Sequence, residues 1–363
     1  MSVKNILIID DSALMRRVIS DIIEADQRFK VIGAAINGLA GISMLQENAG
    51  KVDAVLLDIN MPRMNGLEFL AEIKKQNLVT IVIVVSALTT RDAMETIQAL
   101  ELGAFDFLKK PEGLEELRSN DFSDRLLACL AVATKLKGLE PQRTISTEPS
   151  LQRKQYVSVH KAKNKLVALA CSTGGPRALH NVIPSLPKDM EAGVVIVQHM
   201  PEGFTKSLAE RLNSISQIPV KEAEDGDVIK KGRVYIAKGG RMLRVTKDDK
   251  DNHIIRLSKE APQHGLLPCA DIMYTSLVDT DYDEITCVVL TGMGSDGTAG
   301  ISELSKKKNI HVIAQDRKTS IVYGMPRTIR MTGLVDKVVS LNEVSEAIIK
   351  NVGVRINGCK SIS

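Results

Sequence analysis

Residues 166–180 read LVALACSTGGPRALH: five apolar residues, a cysteine and a serine, then a turn of threonine, two glycines and a proline. An apolar run that short, stopped by a glycine turn, is a buried strand, and a proline just beyond it suits the first turn of a helix. A strand that passes straight into a helix is the repeating unit of a parallel α/β sheet. The turn itself has two possible uses. Its glycines would let backbone close around a phosphate at the helix N-terminus, or it could present Ser172 as a nucleophile. A dinucleotide-binding loop needs the G-x-G-x-x-G register and an acid at the end of the next strand. That register is absent, and the next strand, AGVVIVQ, runs into His199 instead.

Outward from this turn the alternation continues. AGVVIVQ is followed by a helix in FTKSLAERL, EITCVVLTGMGSDG by one in GTAGISELSKKK, and IHVIAQD leads to the closing helix LNEVSEAIIKNV. Residues 219–257 are broken by EDGD, KKG and KGG, which predicts antiparallel hairpins inserted into this second sheet. Towards the N-terminus, NILIID, VIGAAI, VDAVLLDI, TIVIVVSAL and AFDFLKKP are strand-like runs separated by amphipathic stretches. In the first of these stretches Leu14, Val18 and Ile22 share one helical face. Five βα units predict a doubly wound parallel sheet, with a last helix through about Leu136. Residues 137–163 are polar and basic, carry two prolines and have no apolar period, as in a linker. The expected fold is therefore α/β with two doubly wound parallel-sheet domains, an N-terminal (βα)5 domain over residues 1–123 and a Rossmann-like domain with an antiparallel hairpin insertion over 163–355. Residues 124–162 hold the helix end and linker.

Composition agrees with two domains. A chain of 363 residues exceeds one compact core, and 44% hydrophobic with 25% charged residues is ordinary soluble composition. The longest apolar runs fall far short of the roughly 20 residues of a membrane helix. Residues 1–10 reach an aspartate before a cleavable signal could form, so secretion and direct membrane insertion are not expected. Five cysteines, an odd number with no CxxC pair, point to a reducing compartment, and a cytoplasmic location is expected. A net charge of +4 and 3% aromatic residues leave neither a basic footprint nor stacking platforms, so nucleic acid is not an expected partner.

The first domain carries one chemical pattern. Asp10 and Asp11 follow the first strand, Asp58 ends the third, Ser86 ends the fourth and Lys110 follows the fifth. In an open parallel sheet these strand ends line one crevice. Three converging carboxylates repel unless a hard cation sits among them, and oxygen-only ligation suits Mg²⁺. A phosphoryl group on Asp58 would meet that cation, a hydroxyl and an ammonium. One such acid would read as a helix cap, with Asp11 or Ser12 as the N-cap; the whole set at successive strand ends reads as a site. These residues resemble a two-component receiver domain. The resemblance implies that Asp58 accepts the phosphoryl group and that Asp10, Asp11 and the backbone carbonyl of Asn60 hold Mg²⁺. It also implies that Ser86 and Lys110 sense the phosphoryl group and that Phe107 is the switch aromatic.

The second domain collects a hydroxyl, an imidazole and a carboxylate at three strand ends: Ser172, His199 and Asp296. A serine hydroxyl is a weak nucleophile until an imidazole takes its proton, and a carboxylate fixes the tautomer of that imidazole. Asp316, ending IHVIAQD, competes with Asp296, which is favoured because its glycine-rich turn also offers backbone N–H groups to an oxyanion. Cys171 competes with Ser172, but a cysteine at a strand end usually serves as a small buried hydrophobe. The residues alone support a serine hydrolase, with a serine amidase or peptidase, or a non-catalytic phosphate-binding output module, as alternatives. A DNA-binding output would need a helix-turn-helix, which is not found.

ACSTGGP, QHMPEGFT, LTGMGSDGTAG and AQDRKTSIVYGMPR, in this order behind a receiver, resemble the chemotaxis response-regulator protein-glutamate methylesterases over nearly the whole chain. That resemblance implies hydrolysis of glutamate γ-methyl esters on the cytoplasmic domains of chemoreceptors, with release of methanol. Ser172 would be the nucleophile, His199 the base and Asp296 its partner, with Thr173 and the Met293 backbone as oxyanion contacts. No cofactor is expected for ester hydrolysis, and a chemotaxis histidine kinase would be the phosphodonor. The resemblance also implies that the unphosphorylated receiver inhibits, and some relatives deamidate receptor glutamines with the same serine. The chain departs from the family at Lys238 and Met242, where a proline and a histidine are common, and at Leu267, where an arginine is common.

Overall fold

The structure is a computed structural model, and it describes residues 2–87, 89–111, 113, 120–136 and 164–354. The chain divides into two compact units, Met1–Thr147 and Glu148–Ser363. Residues 137–163, where the linker is expected, lie outside the described residues.

The first unit is a five-stranded parallel sheet of β1 (Lys4–Ile9), β2 (Phe29–Ala35), β3 (Ala54–Leu57), β4 (Ile81–Ser86) and β5 (Asp106–Lys109), in the order β2-β1-β3-β4-β5. The inner strands are almost wholly buried, as a sheet covered on both faces requires. Ser12, Asn37, Asn65 and Thr89 cap the helices that follow β1 to β4, each accepting a backbone N–H in the first turn. In helix Ala13–Glu24 the buried stripe is Met15, Ile19 and Ile23, whereas Leu14 is exposed. The expected stripe of Leu14, Val18 and Ile22 is therefore corrected by one residue. Both series have period four, so sequence spacing alone could not choose between them. The last described helix of this unit, Asn120–Leu136, runs past residue 123 and buries Leu126, Leu130 and Ala133.

The second unit is a seven-stranded parallel sheet in the order β14-β13-β12-β6-β7-β9-β8. Its strands are β6 (Lys165–Cys171), β7 (Ala192–Gln198), β8 (Val220–Glu222), β9 (Val234–Ile236), β12 (Glu284–Val289), β13 (Ile310–Gln315) and β14 (Lys337–Val339). Of the expected antiparallel insertion, β10 (Met242–Lys247) and β11 (His253–Ser258) form a separate two-stranded hairpin. Residues 220–236 do not follow that expectation: β8 and β9 extend the main sheet in parallel. Short strands joined by glycine turns read alike in either case, and only the partner strand decides the direction.

The large buried side chains Tyr235, Met273, Tyr274, Leu277 and Ile301 pack with the strand residues Val195, Val197, Ile285 and Val312 into one core. The fold positions the site through β6. The chain leaves β6 for β7 on one side and returns through β12 on the other, so β6 lies at the switch point where open α/β sheets place their ligands. Cys171 registers with Gln198 on β7, and Ala170 with Val289 on β12. Ser172 and His199 are thus the next residues out on neighbouring strands, whose spacing is about 4.8 Å.

Candidate functional site

In the second unit the Ser172 turn is fastened by its backbone. Ser172 N–H donates to Thr291 O (3.0 Å), while Ser172 O accepts from Gly175 N–H (2.6 Å) and from Gln198 Nε2 (3.2 Å). Gly174 has φ +76°, a left-handed conformation that glycine adopts without strain. Gly292 passes so close that a Cβ there would lie 2.9 Å from Ser172 Cβ and 2.3 Å from Met325 Sδ. The serine is therefore held between the ends of β6, β7 and β12. Its hydroxyl makes no hydrogen bond among the described residues.

His199 follows β7, its N–H donating to Cys171 O (3.2 Å), and its Nε2 lies 2.7 Å from Asp296 Oδ2. Asp296 is buried and accepts further from Ala270 N–H (2.6 Å), Asp271 N–H (2.8 Å), Gly297 N–H (3.0 Å) and the Cys269 thiol (3.1 Å). Burial alone would raise its pKa. The His199 hydrogen bond and charge and the backbone donors outweigh that and hold it down to about 2. It is a fixed anion beside an imidazole. Asp316 is not: its Oδ1 accepts from Thr319 N–H (2.9 Å) and Thr319 Oγ1 (2.6 Å), closing a local turn. Cys171 is fully buried, donates to Gln198 Oε1 (3.0 Å) and has its thiol pKa pushed up by burial, so it lacks the thiolate character of a nucleophile.

The Thr173 carbonyl accepts from Thr291 Oγ1 (2.9 Å), and the Met293 amide has no partner among the described residues. Three positioning residues were not singled out in the sequence. Gln198 ties β7 to the serine turn, Gln315 Oε1 accepts Thr291 N–H (2.8 Å), and Thr291 Oγ1 also accepts Val322 N–H (2.9 Å). Gln198 and Gln315 each end a largely apolar strand, a place that a solvent-facing glutamine could equally occupy, so the sequence did not mark them. Cys269 and Ala270, which hold Asp296, had no signal beyond their place in LLPCAD.

In the first unit, ligand oxygens of Asp10, Asp11 and Asp58 lie within 4.8 Å of one another. Lys110 Nζ is 2.8 Å from both Asp10 Oδ2 and Asp58 Oδ2. Asp10 Oδ2 is buried and meets the ammonium as an ion pair without a directed hydrogen bond. Three clustered carboxylates, only partly neutralised by one ammonium, and an all-oxygen donor set fit a Mg²⁺ ion. Burial lifts the Asp58 pKa to about 6 against the opposing pull of Lys110, with Asp10 adding to the rise. Ser86 is buried at the end of β4, its Oγ donating to Ala87 O (3.3 Å), and Phe107 is buried on β5 opposite Val84. Asn60 uses its side chain to pair with Asp92.

Known proteins carry the same two parts. Residues 6–120 match the response regulator receiver domain family, and residues 167–348 match the CheB methylesterase family. A Pyrococcus horikoshii protein named protein-glutamate methylesterase/protein-glutamine glutaminase is 42% identical over 96% of this chain and 93% of its own length. A Bacillus subtilis protein of the same name is 39% identical over 94% of this chain and 97% of its own. The crystal structure of the Thermotoga maritima CheB methylesterase catalytic domain is 40% identical, with a TM-score of 0.50, covering 52% of this chain and 99% of that one. With two relatives of one name matched nearly end to end, this chain belongs to the CheB methylesterase family, carrying a response regulator receiver domain ahead of its methylesterase domain.

Proposed function

We propose that this protein hydrolyses glutamate γ-methyl esters on the cytoplasmic segments of chemoreceptors, releasing methanol, and that a kinase-derived phosphoryl group on Asp58 regulates the reaction. The supporting observation is the 2.7 Å contact between His199 and a carboxylate held anionic by backbone donors, one strand away from a serine with an unengaged hydroxyl. With Nε2–H given to Asp296, the nitrogen left to act as base is Nδ1. Ser172 Oγ attacks the ester carbonyl carbon while Nδ1 takes its proton. The carbonyl oxygen becomes an oxyanion, for which the Met293 N–H and Thr173 are the proposed contacts. Collapse of the tetrahedral intermediate breaks the bond to methoxide, which leaves as methanol with the proton from His199. Water then attacks the glutamyl ester on Ser172, His199 again takes and returns the proton, and free glutamate and serine result.

An amide offers the same carbonyl and a leaving group that also needs a proton, so receptor glutamines are within reach of the same residues. In the receiver, over about residues 1–123, Asp10, Asp11, Asp58 and the Asn60 carbonyl would hold Mg²⁺, which when bound neutralises charge around the transferring phosphoryl group. Lys110 and Ser86 would then bind the phosphoryl oxygens, with Phe107 as the responding aromatic. The methylesterase domain would span 163–355, and the free cysteines accord with a cytoplasmic location. Replacement Ser172→Ala is expected to lower methanol release from methylated receptor by about 10³-fold or more, with Asp58 still phosphorylated by a small phosphodonor. Turnover within a few fold of the native chain would reject the assignment.

A further inference from the structure

Asp296 is reached by donors from both sides. Oδ2 accepts from His199 and Ala270 N–H, and Oδ1 from Asp271 N–H, Gly297 N–H and Cys269 Sγ. Cys269 and His199 are the two side chains that donate to this carboxylate among the described residues. The Cys269 side chain is fully buried and sits at 3.1 Å, within range for a sulfur donor. Burial, with the Asp296 charge adding to it, pushes the thiol pKa to about 12, so sulfur carries its proton at neutral pH, and an ionised carboxylate can only accept it. Of the other titratable neighbours, the Asp271 carboxyl also faces Asp296, whose charge adds to the burial that raises the Asp271 pKa. Asp271 Oδ1 accepts Gly300 N–H (2.7 Å), and the Tyr274 hydroxyl is shared between Ala168 O and Val288 O, 3.1 Å from each.

We infer that Cys269 is a positioning residue for ester hydrolysis: its thiol donates to the Asp296 oxygen that His199 does not use, and so sets how firmly that carboxylate holds the imidazolium. Each donor to a carboxylate spreads its charge and lowers its affinity for a proton. A thiol is a weak donor, so its share is small but signed. Removing it leaves more negative charge on the carboxylate and holds the imidazolium more firmly. Replacing it with a hydroxyl, a stronger donor, does the reverse. A merely structural cysteine would give no such opposition.

The inference rests on the proposed roles of Ser172, His199 and Asp296. Its test is the pH profile of methanol release from methylated receptor by the full chain with a small phosphodonor, for Cys269→Ala and Cys269→Ser. The acidic limb is expected to move to higher pH in the alanine variant and to lower pH in the serine variant, by some tenths of a unit, with plateau rates within about 10-fold of native. Limbs that move together, or stay in place, overturn it. A second readout needs neither turnover nor the alanine variant. In infrared difference spectra of native against Cys269→Ser and of native against Cys287→Ser, the Cys269 S–H stretch should lie below that of Cys287, whose thiol reaches Ile285 O only at 4.0 Å. Coincident bands also overturn it. Should Ser172→Ala keep its turnover, the catalytic reading fails, while the infrared band still reports the Cys269 bond.

Discussion

Asp58 and Asp296 are both buried carboxylates whose surroundings drive them in opposite directions. Asp296 receives an imidazole and three backbone N–H groups, which against burial hold it down to about 2, whereas burial, with Asp10 adding to it, lifts Asp58 to about 6 against the pull of Lys110. A pocket that disfavours the Asp58 anion is one that favours a cation beside it. The sign for stability follows from the unfolded value of about 3.9. A folded pKa above that value means that the folded receiver binds the proton more tightly. Its contribution is present below about pH 4 and is lost as pH rises through about 6, by on the order of 3 kcal/mol. Without Mg²⁺, Asp58→Asn should therefore melt higher than the native chain at pH 7, with the gap shrinking towards pH 4 and also shrinking when Mg²⁺ is added. A gap that does not vary with pH would show that Asp58 titrates normally.

At the scale of elements, the geometry of the serine turn depends on a glycine where strand meets helix. A Cβ on Gly175 would fall 1.9 Å from Gln198 Oε1, and Gln198 Nε2 bonds the carbonyls of both Ser172 and His199. Gly175→Ala must push Gln198 aside and release both strand ends. We expect a loss of about 1–3 kcal/mol of stability, as for other overpacked sites, and a fall in kcat/KM of about 10-fold or more at a temperature where the variant is folded. Thermal melts and methanol release check the two parts separately, and a variant with native values for both would remove Gln198 from the positioning set. The sequence made this turn legible, because a short apolar run ending in STGGP leaves few folds to the backbone. It did not make Gln198 legible, since a strand-end glutamine looks the same whether it faces solvent or bridges two strands.

At the scale of the whole molecule, a phosphorylatable domain and a hydrolase domain share one chain, and the methylesterase is regulated by phosphorylation. Each unit has its own sheet and its own buried core. If the unphosphorylated receiver inhibits, residues 148–363 expressed alone should release methanol faster than the full chain, and a small phosphodonor should narrow the difference by raising the full chain's rate. Equal rates without the phosphodonor would exclude an inhibitory receiver.

The sequence by itself determined the two parallel-sheet domains and the residue types at each strand end, because hydrophobic period and glycine turns are local properties of the chain. It placed Ser172, His199 and Asp296 at the ends of β6, β7 and β12 without any knowledge of the order of those strands. Only the tertiary structure decided that these strands are neighbours, that the buried stripe of the first helix is Met15, Ile19 and Ile23, and that β8 and β9 run parallel to the main sheet. It also decided between Asp296 and Asp316 as the carboxylate that reaches His199, and it brought Cys269 to that carboxylate from 27 residues away. Such contacts join residues distant in the chain, and their geometry is fixed by which surfaces pack together, a condition that no local stretch of sequence contains.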